Sequence, residues 1–259
     1  MGLRLFFITG YAWKVWRRNL DAFLKTYRVN FLPPFIEPLL YLLALGFGLG
    51  TYIEAVDGIP YVRFIAPALI SISVMFSAFY ECTYSSFVRM YYQKTFDAII
   101  ATPISIEEVI AGEILWGATR SLIYASLMLP VLIAFGVVDL PASLLVIPFA
   151  FLAGLLFASI AMCFTAITPS IDALNYPSYL FITPMFLFSG TFFPLTILPL
   201  PIQYLALGFL PLTHVVGVNR SITLTQFSPM IYVHLGWIAV VTAIFFAIAI
   251  RLMRRRLIV

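Results

Sequence analysis

Four charged side chains fall in or at the ends of long apolar segments of the sequence, where charge is costly: Glu37, which is near one end of its segment and can reach the interface, and Glu81, Glu113 and Arg120. A charge near the centre of a bilayer costs about 2.5–3.5 kcal/mol or more, so each should face a partner or a water-filled path. Glu113 and Arg120 share a helix face but lie about 10 Å apart along the axis, which argues against a direct salt bridge. Glu81, in the preceding apolar segment, is a plausible partner for Arg120. The group is either a structural pair that locks two helices or a polar relay.

Residues for hydrolytic, metal or nucleotide chemistry are few. His214 and His234 lack the spacing of two metal ligands on one helix, so no metal site is predicted. Ser189, in the segment FSGTF, is a candidate nucleophile if a histidine such as His214 activates it. The sequence has no GxxxxGK[ST] phosphate loop, and none of its lysines follows a glycine-rich turn. Any ATP-driven activity therefore needs an ATPase on a separate chain.

The composition places this chain in a membrane. Of its 259 residues, 63% are hydrophobic and only 10% are charged, whereas soluble domains carry roughly 25% charged residues. Cys82 and Cys163 match no metal or redox spacing, and no disulfide is predicted. We predict membrane lipids as partners and no nucleic acid.

We predict an all-α integral membrane protein that forms a single membrane domain over residues 1–259. Its six transmembrane helices are expected at about 32–52, 61–83, 109–136, 141–167, 175–195 and 229–250, each long enough to cross a bilayer. Twelve of the 15 Lys and Arg residues then fall on one side: Arg4, Lys14, Arg17, Arg18, Lys25, Arg28, Arg89, Lys94, Arg251, Arg254, Arg255 and Arg256. The positive-inside rule makes that side, with both termini, cytoplasmic.

Two further elements flank the spans. Residues 1–30 include an amphipathic helix with Trp13 and Trp16 on one face and basic residues on the other, which favours a position in the membrane interface over packing on a soluble partner. Residues 196–228 are apolar but broken by prolines, which predicts re-entrant or interfacial helices on the outer side.

The one substantial cytoplasmic loop is predicted at 84–108. Thr95 or Asp97 caps a short helix through Ala101, and Pro103 stops it. Ser105 and Glu108 form a capping box that starts the third span. The short helix has an apolar side of Phe96, Ile99 and Ile100. It either lies passively at the interface or inserts into a groove on a soluble partner.

Two stretches resemble a known family. YYQKTFDAIIATPISIEEVIAGEILWGATRS, residues 91–121, resembles the segment between the second and third spans of type-2 ABC export permeases. It is most similar to the branch of nodulation-factor (lipo-oligosaccharide) export permeases. PMFLFSGTFFPLTILPLPIQYLALGFLPLTHVVGVNRSI, residues 184–222, is similar to the fifth span and outer helices of that family. With the N-terminal helix and the six spans, the resemblance covers nearly the whole chain.

The resemblance implies a homodimeric permease in the cytoplasmic (inner) membrane of a bacterium or archaeon, driven by two copies of an ABC-type ATPase that bind ATP and Mg²⁺. The short cytoplasmic helix would be the coupling helix: Phe96, Asp97, Ala98, Ile99, Ile100, Ala101, Thr102 and Pro103. The substrate would be lipid-like, glycolipid or amphipathic, since related permeases move lipo-oligosaccharides, drugs and polysaccharides. No substrate-binding residue is assigned.

Two other functions compete with this exporter. An intramembrane enzyme acting on a lipid would work without an ATPase and would depend on Ser189 or His214. A non-catalytic scaffold that uses its basic face would show no dependence of transport on residues 96–103.

Overall fold

The structure of the protein, a computed structural model, describes residues 10–26, 36, 39–53 and 55–258. Within these ranges the chain is almost entirely helical. The helices are α1 (Ala12–Lys25), α2 (Leu39–Thr51), α3 (Tyr61–Tyr92), α4 (Thr95–Ile100), α5 (Ile106–Ala134), α6 (Ala142–Ile167), α7 (172–188), α8 (Leu200–Phe209), α9 (Pro211–Thr223) and α10 (Met230–Leu257). A small antiparallel hairpin, β1 (Ala55–Val56) and β2 (Ile59–Pro60), precedes α3.

Helices α3, α5 and α6 form the centre of the bundle, and α10 packs on its outside. In the most apolar stretch of α3, 83% of the residues are buried within the chain, compared with 17% in α10. Close packing of α5 and α6 depends on Gly154, where an added Cβ would lie 2.8 Å from the Cα of Ala118. This small residue is therefore used for packing inside the chain.

The predicted six spans are matched only in part. Helices α3, α5, α6 and α10 are long and apolar enough to cross a membrane, and α8 with α9 would add a fifth crossing if that bent pair is one span. The described part of the first predicted span, α2, has the length of a shorter apolar helix, and residues 32–35, 37 and 38 lie outside the described residues. The fifth predicted span, 175–195, is helical only to Phe188, before Gly190 turns the chain with a φ of +72°.

The second predicted span, 61–83, is too short. The helix continues through two π-helical segments, Glu81–Ser85 and Val88–Tyr92, so the linker that carries α4 is 93–105 rather than 84–108. Such wide turns are frequent at functional sites. They bring Glu81 and Arg89 into the same continuous helix.

The predicted break in residues 196–228 is present. Helices α8 and α9 meet at Leu210 and Pro211 with a bend of 86°. Helix α9 is largely buried against α3 and α10. A proline at the start of α9 fits this geometry because its missing N–H would have no helical partner there.

Both ends of the described chain lie at the end of the bundle that carries α4, which we call the α4 end. The amphipathic helix α1 packs on the first half of α5, where the Nε1 of Trp16 donates to the Oγ1 of Thr119 at 2.8 Å. At the other terminus, Arg254 in α10 pairs with Glu107 in α5 at 3.1 Å. Of the predicted interfacial segment 1–30, residues 1–9 and 27–30 lie outside the described residues, and its position relative to a membrane stays a prediction.

Candidate functional site

Helix α4 is a short helix in the linker between the end of α3 and the start of α5. It begins after Lys94, whose φ of +52° turns the chain out of α3. The prediction that Thr95 or Asp97 caps it was wrong: Lys94 occupies the N-cap position, and no side chain caps the helix there. The left-handed backbone conformation of Lys94 already makes the sharp turn, so Thr95 and Asp97 fall within the helix.

The start of α5 follows the sequence prediction. The backbone N–H of Glu108 donates to the Oγ of Ser105 at 3.3 Å, and the Oε2 of Glu108 accepts from the N–H of Ser105 at 2.8 Å. These are the two bonds of the predicted capping box. The linker between α4 and α5 is thus fixed on both sides of Pro103.

The two faces of α4 differ from the expected arrangement. Phe96 is 0% exposed and belongs to the core of the chain, and Ile99 and Ile100 are partly buried against that core. The apolar side therefore packs α4 against its own bundle and is not free to insert into a groove on a soluble partner. The exposed residues are Asp97, Ala98, Ala101, Thr102 and Pro103.

Beside α4 lies a set of five charged residues, which we call the charged cluster: Arg18, Glu81, Arg89, Glu113 and Arg120. The predicted pair of Glu81 and Arg120 is present. Glu81 also pairs with Arg89 at 2.7 Å and accepts from the Nε1 of Trp116 at 3.0 Å. Both oxygens of this buried carboxylate are thus occupied.

Glu113, on α5, is bound by two other helices at once. It is 0% exposed and accepts from Arg89 at 2.5 Å and from Ser86 at 2.5 Å, both on α3. From α1, Asn19 donates to it at 2.8 Å, and Arg18 lies 3.9 Å away. Glu113 and Arg120 form no direct pair among the described contacts; Arg89 and Glu81 connect them. The cluster therefore ties α1, α3 and α5 together at the α4 end.

Sequence reasoning missed Arg89, the residue that joins the two carboxylates. It was assigned to a loop because the second span was ended at residue 83. Eight residues separate Arg89 from Glu81, about two turns of a continuing helix. That spacing was the available signal. The contributions of Asn19 and Ser86 depend on packing between distant elements and had no sequence signal.

The residues considered for hydrolysis do not assemble into a catalytic site. The Nδ1 atoms of His214 and His234 lie 2.9 Å apart, and the Nε2 of His214 lies 2.9 Å from the carbonyl oxygen of Leu207. The buried hydroxyl of Ser189 has no hydrogen-bond partner in the described part of the chain. Both nitrogens of His214 are occupied elsewhere, so it is not placed as a base for Ser189. Among the described residues there is also no group of three or more His, Cys, Asp or Glu side chains that could hold a metal ion.

Comparisons with known proteins find matches over most of the chain. The family model described as ABC-2 type transporter matches residues 11–224. Nodulation protein J of Rhizobium meliloti (strain 1021) is 36% identical over 251 residues, covering 96% of this chain and 95% of that protein. Nodulation protein J of Rhizobium leguminosarum bv. viciae is 34% identical over 258 residues, covering 99% of each. The inner membrane transport permease YadH of Escherichia coli (strain K12) is 26% identical over 204 residues, covering 75% of this chain and 79% of that protein.

These relationships make the chain a multi-pass membrane subunit of a transporter and not an enzyme. They argue against the lipid-enzyme alternative, as does the occupation of both His214 nitrogens by other groups. By the match over most of its length, the chain belongs to the ABC-2 type transporter family.

Proposed function

We propose that this chain is the transmembrane subunit of an ATP-driven exporter that moves a lipid-like, glycolipid or amphipathic substrate out of the cytoplasm or the inner leaflet. Two copies of the chain would form the path, and two copies of a separate ABC-type ATPase would bind ATP and Mg²⁺. Similarity to proteins named nodulation protein J supports this reading. The inner membrane, with both termini cytoplasmic, is the proposed location, supported by the basic residues near the α4 end.

The observation that carries the proposal is the geometry of α4. Phe96 anchors the helix in the core, while Asp97, Ala98 and Ala101 are exposed beyond the ends of α3 and α5. Small exposed side chains allow the backbone of a partner to approach closely. A short helix presented in this way suits insertion into a groove on an ATPase subunit. The coupling role of residues 96–103 is thus proposed with Phe96, Ile99 and Ile100 as anchors and the other five as the docking face.

The charged cluster supplies a route for the mechanical step. A push on α4 reaches α3 through the Lys94 turn and α5 through the capping box of Ser105 and Glu108. Arg89 and Glu113 hold α3 and α5 together just beyond these connections. We therefore propose that the cluster makes α1, α3 and α5 tilt as one unit when the ATPase subunits close. This assigns the charges a structural role in coupling.

An aromatic cavity is an argument for the proposed amphipathic substrate. A space of about 460 Å³ lies between α3 and α7. Its walls include Phe76, Tyr80 and Tyr179, and its polar groups include Asn175 and Ser178. Apolar walls with a few polar groups are typical of sites for such molecules.

The first experiment tests docking. The detergent-solubilised chain is purified together with the ABC ATPase from a neighbouring reading frame, and wild type is compared with Ala98→Arg/Ala101→Arg. Both alanines are exposed, so folding is preserved while two long side chains block the docking face. We expect the ATPase to co-purify with wild type and to be lost from the variant.

A matched control carries the same added charge at the opposite end of the bundle. Ala55→Arg/Gln226→Arg places two arginines at exposed positions far from α4 and should retain the ATPase. Equal retention by both double variants, with intact folding by gel filtration, would contradict docking through α4 and favour the scaffold alternative.

A further inference from the structure

A second cavity, of about 700 Å³, lies at the α4 end between α1 and the adjoining parts of α3 and α5. Its polar side is formed by Arg18, Arg89 and Arg120 with Glu81, and its apolar side includes Phe23 and Trp116. It is separate from the aromatic cavity between α3 and α7, although Tyr84 and Ser85 border both. One cavity thus combines a cationic side with an apolar side.

Among the residues that the structure describes, the charges around this cavity do not balance. Three guanidinium groups face two carboxylates, Glu81 and Glu113, and Glu113 lies behind the lining. Both carboxylates are already occupied by Arg89, Arg120 and neutral donors. Arg18 is the arginine in excess, since its closest carboxylate contact is 3.9 Å. One positive charge is therefore left for an anion.

Unused donors point the same way. The Nη1 of Arg18 and the Nε of Arg120 are buried nitrogen atoms without a hydrogen-bond partner in the described part of the chain. A buried donor that stays unpaired costs about 1–3 kcal/mol, more for a charged group. An anion in the cavity would remove this cost, because guanidinium groups bind phosphate with strong charge-assisted hydrogen bonds.

We propose that this cavity binds one phospholipid with an anionic headgroup. The phosphate would accept from Arg18 and Arg120, and the glycerol and the start of the acyl chains would lie along Phe23 and Trp116. Basic pockets beside membrane helices commonly take such headgroups, and α1 has the amphipathic character of an interfacial helix. That the lipid comes from the cytoplasmic leaflet rests on the proposed function; that the site takes an anionic lipid does not.

The test is native mass spectrometry of the purified full chain in detergent, titrated with phosphatidylglycerol and, separately, with zwitterionic phosphatidylcholine. Wild type is expected to retain one phosphatidylglycerol per chain. Arg18→Gln should weaken that binding about tenfold, the loss of one charge-assisted contact. Arg17→Gln is the matched control, because Arg17 is the exposed neighbour on the same helix and does not line the cavity; it should change binding less than about twofold.

A second variant fills the cavity without removing a charge. Ala22→Phe places a ring at an exposed lining position of α1 and should also weaken phosphatidylglycerol binding. Equal weakening by Arg17→Gln and Arg18→Gln, or no preference over phosphatidylcholine, would overturn the proposal in favour of diffuse surface attraction. A third arm adds millimolar inorganic phosphate: failure to displace the lipid supports a lipid site, whereas full displacement overturns it in favour of a small-anion site. The assay needs no ATPase, so a failed export model leaves its result unaffected.

Discussion

Each end of the bundle holds a partly buried arginine, and the two arginines bind different groups: side-chain carboxylates at the α4 end and backbone carbonyl oxygens at the opposite end. At the α4 end, Arg89 lies between two carboxylates, Glu81 at 2.7 Å and Glu113 at 2.5 Å. At the opposite end, Arg220 donates to the carbonyl oxygens of Gly190 at 2.9 Å and Phe64 at 3.3 Å. Its guanidinium also lies 3.9 Å from the centre of the Phe64 ring.

This difference separates two tasks. Carbonyl oxygens are part of the backbone, so Arg220 fixes the turn at Gly190 against α3 in one arrangement. Carboxylates sit on side chains of separate helices, so the charged cluster joins α1, α3 and α5 while leaving each helix its own backbone bonding. We therefore expect the α4 end to move as a connected unit, while the opposite end is held by a fixed anchor.

Removing the buried carboxylate at the α4 end should have the largest effect. Glu113→Leu removes one of the two carboxylates that pair with Arg89, whose side chain is only 15% exposed, and breaking such a buried pair costs about 3–5 kcal/mol. The thermal midpoint of the detergent-solubilised chain should fall accordingly. A matched double variant, Arg89→Met/Glu113→Leu, removes both charges and leaves Glu81 paired with Arg120. It should be more stable than Glu113→Leu alone. A double variant that is less stable than Glu113→Leu would show that Arg89 stabilises the chain mainly through its ion pair with Glu81.

Packing of α1 on α5 should produce the next largest effect. An added Cβ at Gly112 would lie 2.6 Å from the Cβ of Val15 and 2.7 Å from the carbonyl oxygen of Ala12. Since backbone must move, Gly112→Ala should cost about 2–3 kcal/mol and make α1 more accessible to limited proteolysis. Gly236→Ala is the control, because nothing lies within 4 Å of a Cβ there. It should be neutral or stabilising by about 0.5–1 kcal/mol. Equal behaviour of the two variants would mean that α1 does not rest on α5.

How far the sequence predicts this site depends on how local each interaction is. The capping box of Ser105 and Glu108 was predicted because its residues are three apart and need only a helix start. The pairing of Glu81 with Arg120 was predicted because an isolated charge in lipid is costly. Arg89 was missed because two π-helical segments extend α3 beyond the predicted end of the span.

The orientation of α4 was unpredictable for a different reason. An apolar side of Phe96, Ile99 and Ile100 fits a groove on a partner and the chain's own core equally well, and only packing decides between them. Likewise, His214 and His234 lie on separate helices, and their contact results from the tertiary fold. The predicted fifth span, 175–195, is only partly helical, because apolar length alone does not reveal where Gly190 turns the chain after Phe188.

The anchor at the opposite end should be less costly to remove than the buried carboxylate. Arg220→Met keeps much of the side-chain volume and leaves the carbonyl oxygens of Gly190 and Phe64 without this donor. The expected loss is about 1–2 kcal/mol. The thermal midpoint measures it. Arg220→Lys is the control: both carbonyl oxygens accept from the same Nη2 atom, so a lysine ammonium that restores one charged donor should recover part of the loss. A loss as large as that of Glu113→Leu would contradict the proposed difference between the two ends.

The smallest effect should come from the one ion pair described at the opposite end, between Arg63 and Asp139. Their side chains are 33% and 42% exposed, so solvent screens the attraction and the pair is worth about 0–1 kcal/mol. Asp139→Asn should lower the thermal midpoint only slightly, and about 1 M salt should remove the difference from wild type by screening. The same salt should leave the cost of Glu113→Leu nearly unchanged, because Glu113 is fully buried. If salt instead erases the Glu113 effect, Glu113 is accessible to solvent, and the charged cluster does not hold α1, α3 and α5 together as the proposed coupling requires.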